Sequence, residues 1–259
     1  MTNERSLREA PVWRLLLTMS LPMILVMTVN VLYNMADVFF LGRTGDTVQV
    51  AAVSLASPVF AAISAFNTLI GFGGCTAISL CLGSGEREKT KQYSSFVVFS
   101  SLFLGVLIGG LLLLGMEILL PLLGTNESTA PYAKAYLQIL ALGTPFSILG
   151  GALGNTARAD GDSRSAMLAT LLGTVLNILL DPLFISVLGM GARGAAIATV
   201  LGNVVSCLFI LYIASRKEIL SLSLRDFSLR PEISLHVLSL GLPMAAGTLL
   251  MSFAHIFFN

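Results

Sequence analysis

The sequence predicts an all-α integral membrane protein, built as a bundle of six transmembrane helices followed by the beginning of a seventh. Apolar residues make up 55% of the 259 residues and charged residues only 11%, with a mean hydropathy of +0.87. That is too little charge to cover the surface of a soluble domain. The apolar residues also come in blocks of about 20 or more, the length that a helix needs to cross a bilayer.

Each apolar block predicts one helix, because within lipid a helix satisfies its own backbone polar groups. Glycine-rich and charged gaps near residues 42–46, 83–86, 124–127 and 160–162 separate the blocks. The predicted helices are 13–41, 51–82, 94–122, 132–156, 165–188 and 194–214, with a seventh from about 236. The predicted domains are an N-terminal cytoplasmic segment 1–12, a six-helix lobe 13–215, a cytoplasmic loop 216–235 and the start of a second lobe, 236–259.

The basic residues predict the orientation in the membrane. With the N-terminus placed in the cytoplasm, twelve Lys and Arg residues fall on the inner side and three on the outer side. The outer three are Arg43, Lys134 and Arg193. Such an excess of positive charge on the inner side is typical of membrane proteins with a single orientation. We therefore expect a multi-pass protein of the cell membrane with a cytoplasmic N-terminus.

A short repeat predicts that the second lobe resembles the first. Ser20-Leu21-Pro22-Met23 in the first helix recurs as Gly241-Leu242-Pro243-Met244 in the seventh, 221 residues later. An even number of helices separates the copies, as a parallel repeat requires. A complete protein of roughly twice 221 residues is expected, with this chain as its first lobe and the opening of the second.

Polar side chains form a stripe along four predicted helices. Within each stripe they are three or four residues apart, which places them on one face of the helix. The stripes are Asn30, Tyr33, Asn34 and Asp37 in the first helix; Ser64, Asn67 and Thr68 in the second; Thr170, Thr174, Asn177 and Asp181 in the fifth; and Thr199, Asn203 and Ser206 in the sixth. Four such stripes predict a shared water-filled cavity.

Three carboxylates lie within the apolar blocks, where an acid is costly and usually functional. Asp37 and Asp181 are both expected in the outer half of the bilayer, facing each other. Pro182 follows Asp181 and removes a backbone hydrogen bond to Ile178, which makes a proton or cation site plausible there. Glu117 precedes Pro121 at the outer end of its helix and is expected to be interfacial.

Several of these segments resemble the multidrug and toxic compound extrusion (MATE) family. They are 32–37 (LYNMAD), 39–42 (FFLG), 158–162 (RADGD), 177–185 (NILLDPLFI) and 191–199 (GARGAAIAT). The resemblance implies twelve helices in two lobes. It also implies export of cationic, amphipathic small molecules against an inward flow of protons or sodium. A coupling ion is then the only cofactor expected, and the partners are membrane lipid and the missing second lobe, with no nucleic acid.

The resemblance also implies roles for individual residues. Asp37, Asn177 and Asp181 match the family's coupling site, and the same three would hold sodium if sodium is the coupling ion. Tyr33 and Thr199 match the hydrogen-bonding neighbours of that site, and Asn155 and Tyr136 match less specifically. The remaining stripe residues, Asn30, Asn34, Thr174 and Asn203, are expected to line the cavity.

Three alternatives remain open from the residues alone. A lipid-linked glycan flippase of similar architecture would need Lys or Arg in its cavity to bind an anionic head group, and the stripes contain none. A membrane-embedded enzyme would need a His, Ser or metal-ligand cluster at membrane depth, and both His residues lie in the incomplete seventh helix. The third alternative is a membrane assembly subunit without transport activity, which would leave the buried acids without a role.

Overall fold

The computed structural model describes residues 12–216 and 223–258, and within its first helix it leaves out the side chains of Asn30, Asn34 and Asp37. These residues form nine α-helices and no strand. The helices are α1 Val12–Gly42, α2 Thr47–Leu55, α3 Ser57–Ser84, α4 Arg87–Leu114, α5 Met116–Leu122, α6 Ala130–Ala159, α7 Ser163–Asp181, α8 Ala192–Ser215 and α9 Pro231–Phe258. A π-helix, Pro182–Val187, continues α7, and a 3-10 turn, Leu224–Asp226, precedes α9.

Six stretches are long and apolar enough to cross a membrane. They are Thr47–Ser84, Arg87–Leu114, Ala130–Ala159, Ser163–Val187, Ala192–Ser215 and Pro231–Ser252. The 31-residue α1 precedes them and contains the shorter apolar stretch Ile24–Tyr33. The prediction of an all-α membrane protein is confirmed, with the helices in the expected order.

Three of the expected helices are interrupted or end differently. The second is broken at Ala56, just before Pro58, and the third is broken at Gly115. The fifth changes to a π-helix after Asp181. Pro182 has no N–H to donate to the Ile178 carbonyl, and the hydrogen bonds that follow join residues five apart instead of four. A hydrogen bond from the Leu188 N–H to the Leu183 carbonyl, 2.9 Å long, closes that wider turn.

The ends of the expected loops also differ from the sequence-based bounds. The seventh helix begins at Pro231 rather than near residue 236, so that the loop expected over 216–235 is shorter. Residues 217–222 of that loop, and residues 1–11 of the expected N-terminal segment, lie outside the described residues.

At the centre of the lobe is α6, which packs against α3, α4, α7 and α8. It is correspondingly the most buried of the candidate spans. On one side of this centre, α1 packs mainly against α7, so that the two helices expected to carry the coupling acids are neighbours. On another side, α9 packs along α3.

Glycines allow α9 to approach α3 closely. A Cβ at Gly73 would clash with the Val237 carbonyl oxygen, and one at Gly241 would clash with the Leu69 carbonyl oxygen. The glycine run at residues 71–74 is therefore a close-packing surface between helices.

Gln49 fixes the start of α2 to the start of α8. Asp46 caps α2 by accepting hydrogen bonds from the Val48 and Gln49 N–H groups, at 3.0 and 3.3 Å. The Gln49 amide then donates to Asp46 at 3.0 Å, and its oxygen accepts from the Ala192 N–H at 2.7 Å. Gly191 makes room for this contact and has a φ of +54°, which strongly favours glycine.

Candidate functional site

A polar cavity lies between α1, α7 and α8. Its volume is about 140 Å³, enough for several water molecules. Nine described residues line it: Tyr33, Thr170, Gly173, Thr174, Asn177, Thr199, Gly202, Asn203 and Ser206. Apart from the two glycines, these are members of the predicted stripes of the first, fifth and sixth helices. The prediction that those stripes face one cavity is met at these positions.

Thr199 joins the three helices. Its hydroxyl forms a hydrogen bond with the Tyr33 hydroxyl of α1 at 3.2 Å. It also accepts a longer bond, 3.4 Å, from the side-chain amide of Asn177 on α7. Thr199 is 7% exposed and Asn177 is 3% exposed, so both bonds lie largely out of solvent. A change in position of any of the three helices would therefore alter this group of hydrogen bonds.

Asp181 lies one helical turn beyond Asn177 and is fully buried. The two side chains share a face of α7, because residues four apart are neighbours on a helix. Asp181 is not among the lining residues of the cavity, so the carboxyl group lies beyond its wall. The Asn177 side-chain oxygen is buried and has no hydrogen-bond partner among the described residues. Such an oxygen is available to a hard cation or to a proton donor.

A close crossing of α7 and α8 places Asn177 against Thr199. A Cβ on Gly173 would lie 2.5 Å from the Gly202 carbonyl oxygen, and a Cβ on Gly202 would lie 2.6 Å from the Gly173 carbonyl oxygen. The two backbones therefore touch at this level, as at other small-residue contacts between membrane helices. Neither glycine was predicted from the sequence, although each lies three or four residues from polar residues of its helix and so on the same face as the polar stripe.

The polar stripe of the second helix does not reach this cavity, so that part of the prediction is wrong. The Asn67 amide donates to the Ser147 carbonyl oxygen of α6 at 3.3 Å and packs where Gly151 leaves room for it. The Thr68 hydroxyl donates to the Ser64 carbonyl of its own helix. Asn67 therefore joins α3 to the central helix of the lobe, and Thr68 satisfies its own backbone.

The side chains of Asp37, Asn30 and Asn34 lie outside the described part of the chain, and their place at the site stays a prediction. Neither Asn155 nor Tyr136 is among the residues that line the cavity. Asn155 instead accepts a hydrogen bond from Arg158 at 2.8 Å, and the Tyr136 ring lies 6.0 Å from that of Phe60, between centroids.

Glu117 behaves as the sequence predicted for an interfacial acid. Its side chain is 86% exposed and lies 3.4 Å from the Lys134 ammonium group. An exposed pair of this kind contributes little to stability. Of the acids Glu117 and Asp181, only Asp181 is enclosed by the helices.

Comparison with known proteins identifies the family. The MatE family model matches residues 22–183, which is more than half of the chain. The chain belongs to the MatE family. The matched range includes Tyr33, Asn177 and Asp181, so most of the site lies within the family's shared region.

MatE relatives agree over nearly the whole chain. The multidrug export protein MepA of Staphylococcus saprophyticus is 32% identical over 252 residues, which is 97% of this chain and 56% of that protein. The crystal structure of a MATE protein in complex with MaD3S superposes with a TM-score of 0.92 at 34% identity, covering 100% of this chain and 59% of the other. An outward-facing MATE transporter of the MOP superfamily gives 0.90 at 34% identity, covering 99% and 57%.

The chain thus spans a little over half the length of the MatE proteins that it matches. Those proteins are named as a multidrug export protein and as MATE transporters.

Proposed function

We propose that this chain is the ion-coupling lobe of a multidrug exporter, which expels cationic, amphipathic molecules in exchange for entering protons or sodium ions. One observation carries the proposal. A fully buried carboxyl group, Asp181, lies one turn from an amide that contributes to a polar cavity between three membrane helices. Buried acids within membrane helices are costly and typically mark ion or proton pathways.

The proposed mechanism begins with Asp181 ionised and the transporter open to the outside. A proton or a sodium ion that reaches the carboxylate removes its negative charge, and with it the cost of keeping that charge away from water. The hydrogen bonds among Tyr33, Asn177 and Thr199 then rearrange, because Asn177 shares its helix face with Asp181. The repacked helices close the drug site, and the drug is released.

The energy available is sufficient for such an exchange. One elementary charge that crosses the membrane gains about 2.3 kcal/mol per 100 mV. Each pH unit of a proton gradient adds about 1.4 kcal/mol. The drug moves outward provided that drug and ion favour different states of the carrier.

Oxygen atoms are the ligands that a sodium site would require. Asp181 would supply carboxylate oxygens. The Asn177 oxygen, which has no hydrogen-bond partner in the described part of the chain, would supply a third, and Asp37 is expected to complete the set. A proton would need only the carboxyl groups. The proposal therefore covers both ions, and the experiment below distinguishes them.

The cavity lining supports a cationic rather than an anionic substrate. None of the nine described lining residues is Lys or Arg. A flippase that carries an anionic head group would need such residues to neutralise it. The same lining contains amides and hydroxyls, which solvate a positive charge through their oxygen atoms.

The decisive experiment uses inside-out vesicles from cells that produce the complete protein. Ethidium accumulation is followed after a proton gradient or a sodium gradient is imposed separately. We expect Asp181→Asn and Asp37→Asn to abolish accumulation driven by the coupling ion. Glu117→Gln is the matched control, because it changes the same kind of side chain at an exposed position.

Each outcome is informative. Loss in the two Asp variants with normal transport in Glu117→Gln supports the coupling site, and the gradient that drives accumulation identifies the ion. Normal ion-driven accumulation in both Asp variants would refute the coupling assignment. If neither the proton gradient nor the sodium gradient drives ethidium accumulation by the unmodified protein, the proposed antiport is refuted.

A further inference from the structure

A second, larger cavity lies on a different face of the lobe from the polar one. Its volume is about 460 Å³, within the range of ligand pockets. It lies between the segment that joins α2 to α3 and the outer face of α4 and α5. Its lining consists of Ser54, Leu55, Ser57, Pro58, Val59, Ala62, Ile63, Ile108, Leu112, Leu119, Leu122 and Leu123.

The two helix breaks that the sequence did not predict border this cavity. The break at Ala56 lies between Leu55 and Ser57, and the break at Gly115 lies between Leu112 and Leu119. Each break redirects one membrane span, so the two spans diverge where continuous helices would have packed side by side. The space is therefore a consequence of the fold rather than a gap between flexible side chains.

The lining is almost entirely apolar. The Ser54 hydroxyl donates to the Val50 carbonyl of its own helix at 3.0 Å, which satisfies its donor. Water does not fill a cavity of this kind, because it would lack the two to four polar partners that it needs. A polar or charged ligand is disfavoured for the same reason. The occupant must itself be a hydrocarbon.

The cavity is continuous with the surface that faces the bilayer. Leu122 lines it and is 81% exposed, and the neighbouring Ile118 and Leu114 are 80% and 87% exposed. Exposed leucines of this size on a membrane span are lipid contacts. The described residues of α9, up to Ser252, contribute nothing to the lining. Lipid is therefore the hydrocarbon that has access.

We propose that an acyl chain of a membrane phospholipid occupies this cavity and holds the α2–α3 break and α5 in their positions. The hydrophobic effect does not drive the binding, because the bilayer is as apolar as the leucine side chains. The gain comes from dispersion contacts that the lining would lack around a void. Such a chain should exchange more slowly than the lipids that surround the protein, since it contacts side chains on several sides.

The test uses the complete protein in bilayers that contain a phosphatidylethanolamine with a photoreactive diazirine on one acyl chain. After exchange into a large excess of lipid-free detergent, the sample is illuminated and the labelled residues are mapped by mass spectrometry. We expect label to persist at Ile108, Leu112 and Leu119 and to be lost at Leu142, an exposed position on α6.

Two variants make the test specific. Ala62→Phe places a ring in the cavity and should remove the persistent label. Ala246→Phe adds the same ring at an exposed position of α9 and should leave it unchanged.

Label at the cavity residues that disappears together with label at Leu142 would overturn the proposal. So would persistent label in Ala62→Phe, and so would an absence of label in the cavity before detergent exchange, which would mean that the second lobe covers it. The unmodified protein alone decides the first and third outcomes, even if Ala62→Phe fails to fold.

Discussion

At the scale of single residues, the Thr199 hydroxyl has a central place, because it bonds to Tyr33 of one helix and to Asn177 of another. Hydrogen bonds between membrane helices average only about 0.6 kcal/mol in stability. A large effect of removing this hydroxyl would therefore have to come from the transport cycle rather than from unfolding. The position thus distinguishes a structural role from a role in coupling.

We expect Thr199→Val, which keeps the shape of the side chain, to reduce ion-driven ethidium accumulation several-fold and to leave the midpoint of thermal unfolding within a few degrees. Tyr33→Phe removes one of the same two bonds and should reduce accumulation less. Thr76→Val, whose hydroxyl donates to the Phe72 carbonyl of its own helix, is the control. Unchanged accumulation in Thr199→Val would contradict a role of this hydroxyl in coupling.

Gln49 provides a second residue-scale prediction, which concerns stability. We expect Gln49→Leu to lower the free energy of unfolding by about 1–3 kcal/mol, because the Ala192 N–H loses its acceptor within a part-buried contact. Gln49→Glu keeps an oxygen acceptor but places a carboxylate beside Asp46, so it should be intermediate. The stability of the unmodified protein and of the two variants is compared by thermal unfolding in the same detergent. Equal stability of Gln49→Leu and the unmodified protein would show that water replaces the contact.

At the scale of helices, the crossing of α7 and α8 determines the distance between Asn177 and Thr199. The two backbones touch at Gly173 and Gly202. A methyl group on either residue would force the helices apart, and a shift of a few tenths of an ångström would break the 3.4 Å bond between Asn177 and Thr199. The geometry of the polar site is therefore set by residues that have no polar side chain.

We expect Gly173→Ala to cost about 1–3 kcal/mol of stability through overpacking and to reduce ion-driven transport at the same time. Gly110→Ala on α4 is the matched control, because a Cβ there meets nothing within 4 Å. In that variant the higher helix propensity of alanine should leave stability unchanged or raise it slightly. Thermal unfolding and vesicle transport of both variants provide the comparison. A neutral Gly173→Ala would mean that α7 and α8 move apart without cost.

At the scale of the whole molecule, the sequence predicts the number and order of helices well, because long apolar blocks are a strong and local signal. It does not reveal the breaks at Ala56 and Gly115, since the apolar pattern continues across both. The sequence misassigns Asn67. The polar residues of that helix do share one face, but the helix that this face contacts depends on how α3 packs. Of the other three stripes, the residues that line the cavity are Tyr33, Thr170, Thr174, Asn177, Thr199, Asn203 and Ser206. The close contact at Gly173 depends on the tertiary arrangement and was not predicted.

The contact between α3 and α9 bears on the proposed exporter, because α9 is expected to begin a second lobe. Gly73 and Gly241 bring these two helices into backbone contact in the present arrangement. If the lobes move relative to each other during transport, this contact must either open or act as the point about which they turn. A side chain added there destabilises the closed contact in the first case and hinders rotation in the second.

We expect Gly241→Ala to weaken the closed contact, because its Cβ would clash with the Leu69 carbonyl oxygen, whereas a Cβ at Gly247 on the same helix meets nothing within 4 Å. Spin labels on the complete protein at Leu80 and Leu235, both exposed, report the separation of the two helices. In Gly241→Ala the distance distribution should shift toward longer values, and in Gly247→Ala it should match that of the unmodified protein. An unchanged distribution in Gly241→Ala together with normal transport would show that the contact tolerates a side chain. The lobes would then have to move about some other point, because a contact that accommodates a methyl group without opening does not restrict their relative position.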